Sequence, residues 1–88
     1  MPNLDELRQE IDQLDHQLIE TLAKRLAVVA KIGQLKKAQD LPALDAGRWQ
    51  AVLGQRAEWA KELGIDESLV KQIWELIHTQ ALKIEKDD

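Results

Sequence analysis

The chain is 88 residues long, contains no cysteine and has a formal net charge of −4. That length bounds it to one domain, residues 1–88; the missing thiols exclude disulfides and thiolate metal sites; the acidic balance argues against a nucleic-acid-binding face. No apolar run is long enough to span a bilayer, and the polar start Met1-Pro2-Asn3-Leu4-Asp5 lacks a basic leader, so a cytoplasmic location is expected.

The first segment, from about Asn3 to Ala38, places Leu4, Leu7, Ile11, Leu14, Leu18, Leu22, Val28, Val29, Ile32 and Leu35 at spacings of three and four. That period predicts one uninterrupted helix. Written as heptads, one column reads Leu4, Ile11, Leu18, Arg25, Ile32 and the other Leu7, Leu14, Thr21, Val28, Leu35. A seam of this kind wants apolar residues throughout, and Arg25 breaks it. A guanidinium facing a core is costly unless paired. It is either a snorkelling or ion-paired arginine or a ligand-binding one. Gly33 costs this helix about 1 kcal/mol relative to alanine, which close helix packing would explain.

Three cations lie on the same pattern. Arg8 and Arg25 are 17 residues apart, so a straight helix separates them by ~25 Å. Arg25 and Lys36 are 11 apart, or ~16 Å, and steps of about 100° return them to nearly one face. Arg25 and Lys36 can therefore grip one anion, whereas Arg8 can join only from a second, antiparallel chain. Size points the same way. The first helix would run ~50 Å, against a radius of gyration of ~12 Å for a compact chain of this length. Its apolar stripe then needs a second copy.

Gln39 to Leu44 reads as a loop broken by Pro42. Asp45 is the expected N-cap of a second helix, Ala46 to Leu63, with Trp49, Val52, Leu53, Trp59, Ala60 and Leu63 inward and Gly64 as its stop. Asp66 caps a third helix, Glu67 to about Lys86, with Leu69, Val70, Ile73, Trp74, Leu76, Ile77, Ala81 and Ile84 inward. The tail EKDD reads as solvated. The fold class is all-α: three helices, the first very long, completed as a bundle by homodimerisation. His16 and His78 lie far apart, lack metal-ligand spacing and read as structural or incidental. No cofactor or metal is expected.

Leu7-Arg8, Ile11-Asp12-x-x-Asp15, Leu22-Ala23-Lys24-Arg25, Lys36 and Asp45-x-x-Arg48 form an ordered set. Together with the helix lengths it resembles the small all-helical chorismate mutases, the AroQ class, from Leu4 to Glu85. The resemblance implies two interlocked chains with two sites inside the bundle. Each would rearrange the dicarboxylate chorismate to prephenate, in aromatic amino-acid biosynthesis. Arg25, Lys36, Asp45 and Arg48 would come from one chain and Arg8 from the other. Isochorismate pyruvate lyases, which form salicylate, share this frame. The loop between Lys36 and Arg48 has the mutase length, so the mutase is favoured. A non-catalytic helical dimer, or a regulatory partner of a larger shikimate-pathway enzyme, is the reading from a different class.

Three positions depart from the pattern of that family. A glutamate that would hold the ring hydroxyl is Trp49, which also fits as a packing residue in phase with Val52 and Leu53; Gln50 is a substitute if the helix rotates. A serine is replaced by Ala81. A glutamine that would donate to the substrate's ether oxygen is Glu85. A carboxylate cannot donate, but a carboxylic acid can, so a catalytic Glu85 would need a proton and turnover would improve toward acidic pH. The alternative is that Glu85 frays into solvent.

Overall fold

The computed structural model describes residues 1–86, which form α1 (Leu4–Ala38), α2 (Ala46–Glu62) and α3 (Glu67–Lys86), with no strand among them. Asn3 is the N-cap of α1, not its first residue: its side-chain oxygen accepts from the Glu6 N–H at 2.9 Å. Asp5 and Glu6 in the first turn and Lys36 and Lys37 in the last suit the helix dipole. Thr21 returns its hydroxyl to the Gln17 carbonyl at 2.9 Å, which keeps a polar residue tolerable in the apolar column.

α1 stops where Asp40 takes a left-handed backbone, φ 60°. Asp45 then caps α2, accepting from the Arg48 N–H at 3.0 Å. α2 ends at Glu62, with Leu63 as C-cap and Gly64 at φ 73°. The Ile65 N–H closes that turn on the Ala60 carbonyl at 2.8 Å, a conformation in which glycine carries no Cβ penalty. Asp66 caps α3 through the Ser68 N–H at 2.8 Å.

α3 packs against both other helices. It meets α1 around Gly33, where a Cβ would stand 2.9 Å from the Cα of Glu85. The buried side chains are Val29, Val52, Ala57, Ala60 and Ala81, with no large one fully enclosed. Trp59, Leu63, Leu69, Ile73 and Leu76, expected inward, are exposed. The cause is geometric: α3 covers one face of each neighbour, and the three described helices leave the other face uncovered. Arg56 covers part of the exposed Trp59, its guanidinium 4.6 Å from the ring centroid.

The apolar stripe of the N-terminal half of α1 is bare: Leu4, Leu7, Ile11, Leu14, Leu18 and Leu22 are all exposed, Leu18 at 69%. The chain measures 57 × 26 × 15 Å, with a radius of gyration of 16.3 Å. That exceeds the ~12 Å of a compact chain because α1 projects beyond its packing partner. No helix among the described residues is long and apolar enough to cross a membrane.

Candidate active site

Where the three helices converge there is a cleft of about 240 Å³. α1 lines it with Arg25, Val29, Ile32 and Lys36, spaced four, three and four, so one helix face supplies all four. Ala43 and Asp45 of the connecting loop close one edge, and Arg48, Trp49 and Val52 come from the first turns of α2. α3 adds His78, Ala81, Leu82 and Glu85, again at helical spacing. The cleft thus gathers Arg25, Lys36, Asp45, Arg48, Trp49, Ala81 and Glu85, seven of the eight positions expected from sequence.

Arg8, the eighth, lies outside it, exposed on the second turn of α1 and 17 residues from Arg25. Gln50 is exposed and does not line the cleft, because the turn that points Trp49 and Val52 inward points its neighbour out.

Lys36 is the most constrained cation. Its Nζ donates to Glu85 Oε1 at 2.6 Å and to the Ala43 carbonyl at 2.6 Å. Both side chains of the ion pair are largely shielded, at 23% and 10% exposure. Glu85 therefore neither frays nor belongs to the solvated tail; residues 87 and 88 of that tail lie outside the described residues. Here it acts as the acceptor that fixes Lys36. An ammonium has three N–H donors, so Lys36 keeps one beyond these two bonds.

Arg25 differs. Its Nη1 is buried without a hydrogen-bond partner among the described residues, a costly state for a charged donor and one that an anion in the cleft relieves. Arg48, on α2, lines the cleft as well. Eight residues further along α2, Arg56 also has a buried Nε with no partner among the described residues. Burial first, then Arg48 and Arg25, hold the Arg56 guanidinium below its ordinary value. Like charges are thus crowded on this side.

Trp49 and His78 were not expected to act together. Their rings stack with centroids 3.7 Å apart and planes 7° from parallel. Trp49 is both a packing residue and a wall of the cleft. His78, which reads from sequence as structural or incidental, lines the cleft as well. Burial lowers the His78 pKa from its ordinary value; Glu85 opposes that shift, and Arg25 and Lys36 reinforce it. The available signal was its position three and seven residues before Ala81 and Glu85, on one face of α3.

The description of the chorismate mutase type II family matches residues 7–86. The chain is 30% identical over 82 residues to a 4-amino-4-deoxychorismate mutase of Streptomyces venezuelae, covering 93% of this chain and 80% of that one. It is 32% identical over 84 residues to the T-protein of Enterobacter agglomerans, covering 96% of this chain but only 22% of that longer one. It is 31% identical over 77 residues to the isochorismate pyruvate lyase of Pseudomonas aeruginosa, covering 85% and 74%.

Proposed function

This chain belongs to the chorismate mutase type II family, and from that premise we propose that its cleft binds chorismate and rearranges it to prephenate. The observation that carries the reading is the buried Nη1 of Arg25, unpartnered among the described residues, in a cleft that Lys36 and Arg48 also line. Chorismate is a dicarboxylate, and planar guanidinium forks bind carboxylates bidentately.

The reaction is a one-step pericyclic shift. The ether C–O bond breaks as a C–C bond forms, so no nucleophile is required. Rate then comes from holding the enolpyruvyl arm over the ring and from stabilising the negative charge that grows on the ether oxygen. Arg25 and Arg48 suit the carboxylates. The third N–H of Lys36 suits the ether oxygen, and its bonds to Glu85 and Ala43 preorganise it. Val29, Ile32, Val52 and Leu82 supply apolar walls, where electrostatic contacts gain strength as water is excluded.

The site is completed by a second copy. The bare stripe from Leu4 to Leu22 and the elongated protomer support an antiparallel pairing along α1, in which the partner subunit's Arg8 reaches a carboxylate. The test is incubation with chorismate and, separately, isochorismate. Prephenate from chorismate supports the mutase. Salicylate plus pyruvate from isochorismate identifies the lyase. No product from either, with no rise in Tm at saturating dicarboxylate transition-state analogue, identifies a non-catalytic dimer.

A further inference from the structure

The polar groups of the cleft are unevenly committed. Arg25, Lys36 and Arg48 carry donors only. One oxygen of the Glu85 carboxylate and the Ala43 carbonyl accept from the Lys36 ammonium, and one oxygen of the Asp45 carboxylate accepts from the Arg48 backbone N–H. Yet the substrate proposed above brings, besides two carboxylates and an ether oxygen, one ring hydroxyl, which is a donor. His78 lies on the α3 wall, half-buried, with no hydrogen bond to its ring among the described residues. One face of that ring is taken by Trp49, a contact that leaves the ring nitrogens unbonded, and an unprotonated imidazole offers one of them as an acceptor.

We propose that His78 determines substrate specificity: its unprotonated ring nitrogen accepts the hydrogen bond of the substrate's ring hydroxyl, and Trp49 is the positioning residue that fixes the imidazole plane by stacking. The inference rests on the mutase reading of the cleft. Burial supports it by keeping the imidazole uncharged at neutral pH, with Arg25 and Lys36 of α1 acting in the same sense and Glu85 of α3 against it. Trp49 carries no charge, and its indole N–H is a donor, so it cannot take the hydroxyl proton itself.

The experiment compares kcat/KM for chorismate and for its analogue with hydrogen in place of the ring hydroxyl, in the wild type, His78→Leu, His78→Asn and His78→Gln, each shown by circular dichroism to be folded. A neutral hydrogen bond predicts that His78→Leu loses roughly three- to tenfold on chorismate and almost nothing on the deoxy analogue, so the wild-type preference for the hydroxyl collapses. His78→Asn or His78→Gln, each with an amide acceptor, restores the preference. Equal losses on both substrates would assign His78 to packing under Trp49 and overturn the proposal, as would a preference unchanged in His78→Leu or restored by neither amide. A wild type that neither turns over chorismate nor binds the dicarboxylate analogue overturns the mutase reading itself. Turnover with an unmoved preference overturns only the role of His78.

Discussion

Gly33 and Glu85 meet with no room between them: a Cβ on the glycine would lie 2.9 Å from the Cα of the glutamate. Lys36, the partner of Glu85 at 2.6 Å, is on the same helix as Gly33, three residues further on. The close approach of α1 and α3 therefore sets the length of the ion pair. A side chain at position 33 acts on the cleft without entering it.

Gly33→Ala tests this. Alanine gains about 1 kcal/mol of helix propensity in α1. The clash, however, is with backbone, so α3 must move, and overpacking of that kind costs about 1–3 kcal/mol. The expected net loss of about 1 kcal/mol reads as a Tm lower by roughly 4–8 °C, together with a fall in kcat as Lys36 is pulled off position. A higher Tm with unchanged turnover would mean that the helices separate without cost.

Glu85→Gln separates two roles for that position. The amide oxygen still accepts from Lys36, and the amide N–H adds a donor that a carboxylate lacks. Neutral-pH turnover is expected to equal or exceed that of the wild type, whereas Glu85→Leu, which leaves Lys36 without its partner, should lose about tenfold or more. Glu85→Gln turnover as low as that of Glu85→Leu would show that the charge of Glu85, and not only its acceptor oxygen, holds Lys36 in place.

The helices were legible because their signals are local: the caps Asp45 and Asp66, the stop at Gly64 and the three–four spacing of apolar residues. Most of the cleft was legible too: Arg25 interrupts an apolar column, Lys36 returns to its face 11 residues on, and Arg48 belongs to the Asp45-x-x-Arg48 spacing. Inward faces were read less well. Trp59, Leu63 and Leu76 obey the same periodicity as Val52 and Ala81 but are exposed in the protomer, because periodicity tells which face is apolar and not what covers it. The stacking of His78 was illegible for a related reason. Its partner Trp49 is 29 residues away in sequence and 3.7 Å away in space, and a single chain pattern carries no trace of that pairing.

A shared site has a consequence that a self-contained one lacks. Arg8→Ala and Arg25→Ala should each lower kcat/KM by roughly a hundredfold, the scale of a lost charge-assisted hydrogen bond. Mixed in equal amounts after subunit exchange, they should recover ~25% of wild-type sites, because half the dimers are mixed and each of those has one unaltered site. Demonstrated exchange with no recovery would place both arginines in one chain's site or remove Arg8 from the chemistry.

His78 should titrate below its ordinary value of 6.5, held there mainly by burial. An NMR titration of the imidazole C–H protons, assigned with a His16→Asn variant, reads it directly. The neighbours fix the sign of each perturbation. Glu85→Gln removes the group that raises the midpoint and should lower it further; Lys36→Met removes one that lowers it and should raise it. The same shift links to stability. Between the lowered folded value and the unfolded value near 6.5, the unfolded chain binds more protons than the folded one. Stability must therefore fall as pH drops through that window, then level off once both states are protonated. His78→Leu should lack this component while keeping the acid loss due to carboxylates. A His78 midpoint at or above 6.5 would mean that Glu85 outweighs burial, and the imidazole would then be charged, not an acceptor, at the mildly acidic end of the range.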